Sequence, residues 1–266
     1  MPREARIAVI VAAAGFSSRW GGVRSKLDED LGGRPVLHRT VELFHTRDDV
    51  SQVIVAGPHD DEAFADFSLK HADRLTLLGA TLCRGGKTHR YETVQAALGQ
   101  VADDATHVAV HDAARPCASG GLIDRVFAAC LTNAAVVPAL PVADTIKRTE
   151  ESDVTAADLD PLDAALGLGT SDVAPARVVT ETIERDGLVA VQTPQVFSAD
   201  LMRRAYEQDD LASTDDAALV ERLGESVVVV EGDPHNIKLT LPKDIVIARA
   251  ILGFKPPRER DTHKKF

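Results

Sequence analysis

Short runs of apolar, β-branched residues recur along the chain at Ile7–Ala12, Gln52–Ala56, Leu75–Leu78, His107–His111, Ala135–Leu140 and Ser226–Glu231, each bounded by polar residues, glycine or proline. Runs this short and this uniformly apolar predict strands buried on both faces. Between them apolar residues return at helical spacing: Val36, Leu37, Val41 and Phe44, then Val94, Ala97 and Leu98, then Leu122, Ile123, Val126, Phe127 and Cys130. Buried strands alternating with amphipathic helices predict an α/β fold, a mostly parallel sheet with helices on both faces. Ligands bind beyond the carboxyl ends of the strands in such sheets. The segments to search are therefore Ala13–Lys26, Cys83–Arg90, His111–Pro116, Asp144–Lys147 and Gly232–Lys238.

The pattern breaks between Thr149 and Ala176, where seven Asp or Glu residues occur without a Lys or Arg. Two strand-like pieces flank this acidic stretch, Val142–Arg148 and Val178–Ile183, and are predicted to pair as a projecting β-arm that offers a dimer contact. The tail Lys255–Phe266 has two prolines, five basic residues and almost nothing to bury, a composition that predicts disorder. One domain over 1–254, with the arm and acidic insertion at about 142–190, is the simplest organisation for a chain of this length.

Composition narrows the function classes. Hydrophobic residues make up 44% and charged residues 27%, as in an ordinary globular protein. The net charge of -11 argues against general nucleic-acid binding, so any phosphate site must be locally basic. Cys83, Cys117 and Cys130 are scattered and lack C-x-x-C spacing, which points to reduced thiols and a cytoplasmic location rather than to disulfides or zinc. No segment approaches the roughly 20 apolar residues of a membrane helix.

Candidate chemistry lies in the loops. After the first strand, AAAGFSSRWGGVRSKL places Ala13, Ala14, Gly15, Ser17 and Ser18, where a backbone can approach a ligand closely, beside the cations Arg19 and Lys26. That combination suits a triphosphate, yet it is neither a P-loop nor G-x-G-x-x-G, and in isolation it is equally a plain turn with solvated charges. In HDAARP, Asp112 either caps a turn or ligates Mg²⁺ together with phosphate oxygens. Arg115 either forks onto a phosphate or pairs with Asp112. Gly85 and Gly86 precede a helix start marked by Thr88 and Glu92, with Arg90 and Thr93 in its first turns. They leave backbone groups for a base edge or simply make a turn before a capped helix. ADTIKR, VQTPQVF and DPHNIKLT bring Thr145, Thr193 and Lys238 near expected strand ends. Lys238 interrupts an apolar run, NIKLTL, where a cation needs an anion or must snorkel to water.

AAAGFSSRW with Lys26, GGKTHRYETV, VHDAARP, ADTIKR, TPQVF, STDDA (Ser213–Ala217) and NIKLT, in that order, resemble the 2-C-methyl-D-erythritol 4-phosphate cytidylyltransferase family over most of Ile7–Leu252. The resemblance implies a Rossmann-like, glycosyltransferase-A-like sheet and a homodimer joined through the β-arm. It also implies transfer of CMP from CTP to methylerythritol phosphate with Mg²⁺. Carried over residue by residue, Ala13, Ala14, Gly15, Gly86 and Thr93 surround the cytidine, with Ser17 and Ser18 in the CTP loop. Arg19, Lys26 and Lys238 bind phosphates, and Asp112 holds the metal and approaches substrate. Arg115, Thr145 and Thr193 line the acceptor site, and Arg185 reaches the acceptor phosphate from the partner's arm. The chain departs from the family pattern at Ser25 and Leu27, where Pro and Gln usually flank the lysine, and at Trp20, where methionine is typical. It departs again in one extra residue between Gly86 and Arg90, in Thr93 for serine, and in the long acidic stretch. Two other readings compete: a ribitol 5-phosphate cytidylyltransferase, and a non-catalytic nucleotide-binding module.

Overall fold

The computed structural model describes residues 5–15, 20, 25–151 and 177–255. Ser17, Ser18 and Arg19, most of the acidic stretch and all but the first residue of the tail lie outside them. The strands are β1 (Ile7–Ala12), β2 (Val50–Gly57), β3 (Ala80–Arg84), β4 (His107–Asp112), β5 (Ala135–Pro141), β6 (Ile146–Glu151), β7 (Arg177–Ile183), β8 (Val189–Val191), β9 (Gln195–Ser198) and β10 (Val228–Glu231). The helices are α1 (Val36–Glu42), α2 (Asp61–Leu77), α3 (Arg90–Leu98), α4 (Gly120–Cys130), α5 (Ala199–Tyr206), α6 (Ala217–Arg222) and α7 (Asp244–Ile251). The chain divides into two compact units, Met1–Leu140 with Val191–Phe266, and Pro141–Ala190.

In the larger unit the strand order is β10-β5-β9-β4-β1-β2-β3. The neighbours pair in parallel except at β9, which runs antiparallel to both β4 and β5. Alternation along β1 divides the core in two. Ile7, Val9 and Val11 pack with Val36, Leu37 and Val41 of α1 and with Leu122, Val126 and Phe127 of α4. Ala8 and Ile10 face the other way, towards Val94 and Ala97 of α3 and Leu201 and Met202 of α5. Each large apolar side chain so buried contributes about 1.5–3 kcal/mol, and a strand covered on both faces has no polar side. The expected α/β architecture is the one found. No helix among the described residues is long and apolar enough to cross a membrane.

One predicted strand is a helix. Leu75–Leu78 closes α2, which begins where the Asp60 carboxylate accepts from the Glu62 and Ala63 N–H groups, both at 3.0 Å. A four-residue apolar run cannot distinguish a buried strand from the end of a helix. Leu75 is buried while Leu77 is 78% exposed, as on a helix with one covered face. Gly79, at φ 70°, ends the helix and turns the chain into β3.

The smaller unit carries an antiparallel hairpin of β6 and β7, with a register irregularity between Arg148 and Thr149. The arm therefore exists, but its first strand begins at Ile146 rather than Val142.

Candidate active site

Strand register assembles the loops. Parallel pairing sets Ala12 beside both Ala56 and Asp112, and Ala56 beside Cys83. The chain segments leaving β1, β3 and β4 thus emerge at one edge of the sheet. They border a cavity of about 290 Å³ lined by Ala13, Ala14, Gly15, Gly86, Thr93, Asp112 and by four cations, Lys26, Lys87, Arg90 and Lys238. Asp112 is the single carboxylate in that lining. A strongly basic cavity in a chain of net charge -11 is the local concentration that an anionic ligand requires.

Asp112 is the hub of the charges. Its Oδ2 is 2.8 Å from Lys238 Nζ and 3.5 Å from Arg115 Nε, and its Oδ1 is 3.3 Å from Arg90 Nε. Burial alone would push this carboxyl up, but Arg90, Lys238 and Arg115 outweigh it and hold the pKa far below the usual carboxylate range. Of the readings open to Asp112 and Arg115, their pairing is present, and both carboxylate oxygens are engaged by cations. Lys238 pairs with this anion while its side chain stays 42% exposed, and NIKLTL is loop and not strand. Lys26 also reaches this loop, its Nζ donating to the Leu239 carbonyl at 3.1 Å. The loop is clipped to the HDAARP turn by Leu239 N–H to Ala114 O, 2.8 Å, and by Arg115 Nη1 to Asn236 O, 2.7 Å.

A second layer fixes the hub. Arg90 Nη1 donates to Asp216 Oδ2 at 2.7 Å, and the Tyr206 hydroxyl donates to Asp216 Oδ1 at 2.6 Å. Burial works against the charge on Arg90, yet Asp216 and Asp112 raise its pKa above the usual guanidinium range. Its Nη2 is buried and has no hydrogen-bond partner among the described residues. Thr193 is buried too: its hydroxyl accepts from the Asp112 N–H at 3.1 Å and sits 3.2 Å from His111 Nδ1. His111 Nε2 faces the Arg115 carbonyl at 3.1 Å and must donate there, so Nδ1 accepts the Thr193 proton. Thr193 is therefore a brace behind Asp112 and does not appear in the cavity lining.

Of the two readings of the paired glycines, the turn before a capped helix is the one found. Their N–H groups are used internally, Gly85 to Gly57 O at 2.8 Å and Gly86 to Thr93 Oγ1 at 3.1 Å. Crowding is what requires glycine. A Cβ on Gly85 would lie 2.6 Å from Gly57 O and 2.7 Å from Ala14 Cβ, and one on Gly86 would lie 2.1 Å from Glu92 Cβ. Glu92 in turn accepts from the Thr88 and His89 N–H groups at 2.8 and 3.2 Å, starting α3.

A family model for IspD, 2-C-methyl-D-erythritol 4-phosphate cytidylyltransferase, matches residues 7–166 and 168–254. The chain belongs to this family. The cytidylyltransferase of that name from Frankia casuarinae is 40% identical over 255 residues, spanning 96% of this chain and 84% of that protein. The one from Rhodococcus jostii is 41% identical over 248 residues, spanning 92% of this chain and 95% of its own length. The crystal structure of the 2-C-methyl-D-erythritol 4-phosphate cytidylyltransferase from Thermus thermophilus superposes with a TM-score of 0.65 at 30% identity, covering 93% of this chain and 98% of that one.

As a member of the cytidylyltransferase family, the chain is a nucleotidyltransferase. Of the residues that the resemblance picked out, Ala13, Ala14, Gly15, Lys26, Gly86, Thr93, Asp112 and Lys238 meet at the cavity, and Arg115 borders it through Asp112. Thr145 and Arg185 belong to the smaller unit, where the Arg185 guanidinium donates to the Ala143 carbonyl. Sequence reasoning placed Arg90 on its helix but gave it no part in the site, and it gave none to Tyr206 or Asn236. It quoted Asp216 only within a motif. The Arg90–Asp216 pair spans 126 positions, and the polar neighbours of both, Lys87 to His89 with Glu92 and Ser213 to Asp215, gave no sign of it in the sequence.

Proposed function

We propose that this chain transfers the cytidylyl group of CTP to the phosphate of 2-C-methyl-D-erythritol 4-phosphate, giving 4-diphosphocytidyl-2-C-methyl-D-erythritol and pyrophosphate. The observation that carries this reading is the cavity of four cations around one carboxylate, in a chain of this family. An acceptor phosphate oxygen attacks the α-phosphorus, the bond to the bridging oxygen breaks, and its electron pair leaves with pyrophosphate. The nucleophile is already an anion, so no side chain has to remove a proton, and catalysis consists of positioning and charge stabilisation. Lys26 and Lys238 neutralise charge gathering on the phosphates. Arg90 and Arg115 hold Asp112, and Asp112 holds the Lys238 ammonium at the cavity. The alanines of the first loop and Gly86 shape the nucleoside end. Arg19 adds a cation from the same loop.

Asp112 is the one acidic group in the cavity lining, and among the described residues no cluster of three or more His, Cys, Asp or Glu could hold a metal. That donor set does not make a resident Mg²⁺ site. It suits Mg²⁺ that arrives on the triphosphate, because such an ion takes one or two carboxylates and leaves its other positions to phosphate and water. The ion then screens the phosphate charge as part of the substrate.

The smaller unit supports a homodimer. A two-stranded hairpin is marginal alone in water, and Val178 and Val179 on β7 are 51% and 53% exposed. A second copy covers them, and Thr145 and Arg185 serve the acceptor from this arm. The described cysteines are free thiols, in keeping with a cytoplasmic enzyme.

Pyrophosphate release from CTP and Mg²⁺, assayed with each acceptor on enzyme whose mass in solution is measured in parallel, tests the reading. Expected are turnover with methylerythritol phosphate, none with ribitol 5-phosphate, and a mass twice that of the 28.5 kDa chain. Turnover with ribitol 5-phosphate alone overturns the acceptor, and a monomeric mass overturns the dimer.

A further inference from the structure

Behind the turn that carries Lys26 lies a line of buried polar side chains that phosphoryl chemistry does not use. Lys26–Asp28 is a single 3-10 turn, opened by Ser25, whose Oγ accepts from the Leu27 N–H at 3.2 Å. One such turn has too few internal bonds to hold its own geometry. Its far end is held from outside. Asp28 Oδ1 is 2.9 Å from His71 Nε2, and Asp28 Oδ2 is 3.3 Å from Lys70 Nζ, both on α2. His71 Nδ1 then lies 3.1 Å from Nε2 of His38 on α1. His71 and His38 are 2% and 7% exposed, their rings meet edge to face, and Phe67 packs against His71.

The proton next to Asp28 has a fixed place. Asp28 is ionised, its pKa lowered chiefly by the hydrogen bond from His71, so it only accepts and His71 Nε2 carries a hydrogen. One hydrogen must lie between His71 Nδ1 and His38 Nε2. Burial and the neighbouring His71 bring the His38 pKa down to about 4, so His38 is neutral, and a single hydrogen bond joins its Nε2 to His71 Nδ1. The charged groups around the line are Arg34 and Glu42 beside His38, and Lys70 and Arg74 on α2, with Asp66 paired to Lys70 at 2.7 Å. Hydrogen bonds thus run without a gap from α1 through α2 to the turn. Two imidazoles stand where leucines would bury more apolar surface, so hydrophobic stabilisation alone does not account for them.

We propose that Asp28, His71 and His38 are positioning residues for Lys26, a hydrogen-bonded strut that ties the 3-10 turn to α1 and α2 and holds the lysine ammonium at the cavity. This rests on the reading of Lys26 as a phosphate-binding cation.

A double-mutant cycle on the full-length enzyme, with CTP, Mg²⁺ and methylerythritol phosphate, tests it. His71→Phe keeps a ring against Phe67 and removes both hydrogen bonds; kcat falls about 10-fold while KM for the acceptor stays within about twofold, since small misplacements of a catalytic group act on rate. His71→Gln, whose amide again donates to Asp28, recovers most of that loss. In the Lys26→Ala background, His71→Phe costs nothing further, the signature of two residues acting through one contact. Asp28→Ala, at a partly exposed position, carries the same cycle if His71→Phe does not fold. The strut is overturned if these variants leave kcat within about twofold of wild type, or if their loss multiplies in full onto that of Lys26→Ala. Lys26→Ala with undiminished turnover overturns the phosphate role itself, and the strut's catalytic meaning with it.

Discussion

Two parts of the cavity wall are built on opposite principles. Around Asp112, position is set by charge: three cations and a second buried carboxylate, Asp216, interlock through side chains from β4, α3, the loop before α7 and the residue just ahead of α6. Around Gly85 and Gly86, position is set by contact: backbone meets backbone, with no charged atom needed and no room for a methyl group. The first arrangement answers to charge and pH, the second to volume. A site that handles a polyanion needs both, because cations alone attract any phosphate, whereas a tight backbone wall gives the cavity a fixed shape.

The largest effect is expected from breaking the charge layer. Asp216→Asn leaves Arg90 buried with an amide where a carboxylate stood; loss of one partner from such a pair costs about 3–5 kcal/mol, read as a lower denaturation midpoint. A change below about 1 kcal/mol would show that Arg90 keeps its place without Asp216. Acid should act on the same region next. His111 is fully buried and its pKa is lowered to about 4, as is that of His38. The native state therefore refuses a proton that the unfolded chain accepts near pH 6.5. Stability should be full above about pH 6.5 and decline from there to about pH 4, by on the order of 3 kcal/mol for His111. A flat stability profile across that window contradicts the burial argument. The smallest effects belong to the glycine wall and separate crowding from composition. Gly85→Ala should cost about 1–3 kcal/mol because its Cβ meets backbone. Gly15→Ala, with nothing among the described residues within 4 Å of the new Cβ, should stay within about 0.5 kcal/mol. Equal melting temperatures for the two variants would remove the distinction.

The same division explains what could be read from the sequence. Five of six predicted strands overlap real ones, because a strand buried on both faces advertises itself through uninterrupted apolar residues. The sixth, Leu75–Leu78, failed because apolarity over four residues carries no period. Cavity residues that follow directly from strand ends, Ala13 to Gly15 and Asp112, were legible because parallel register brings strand ends together without further information. The turn at Gly85 and Gly86 before a capped helix was legible, but not the crowding that demands glycine there: the sequence shows a missing side chain without the neighbour that excludes it. Arg90, Tyr206 and Asp216 escaped for a related reason. Which of many charged residues pair is decided by packing across α3, α5 and α6, and one chain contains no record of that choice.

The Lys26 to Leu239 hydrogen bond joins the first loop of the sheet to the loop before its final helix, α7. During synthesis, β1 and its loop leave the ribosome long before the residues that anchor Lys26 and supply Lys238. A wall of the cavity is thereby supplied from far along the chain, so the cavity is completed late in synthesis.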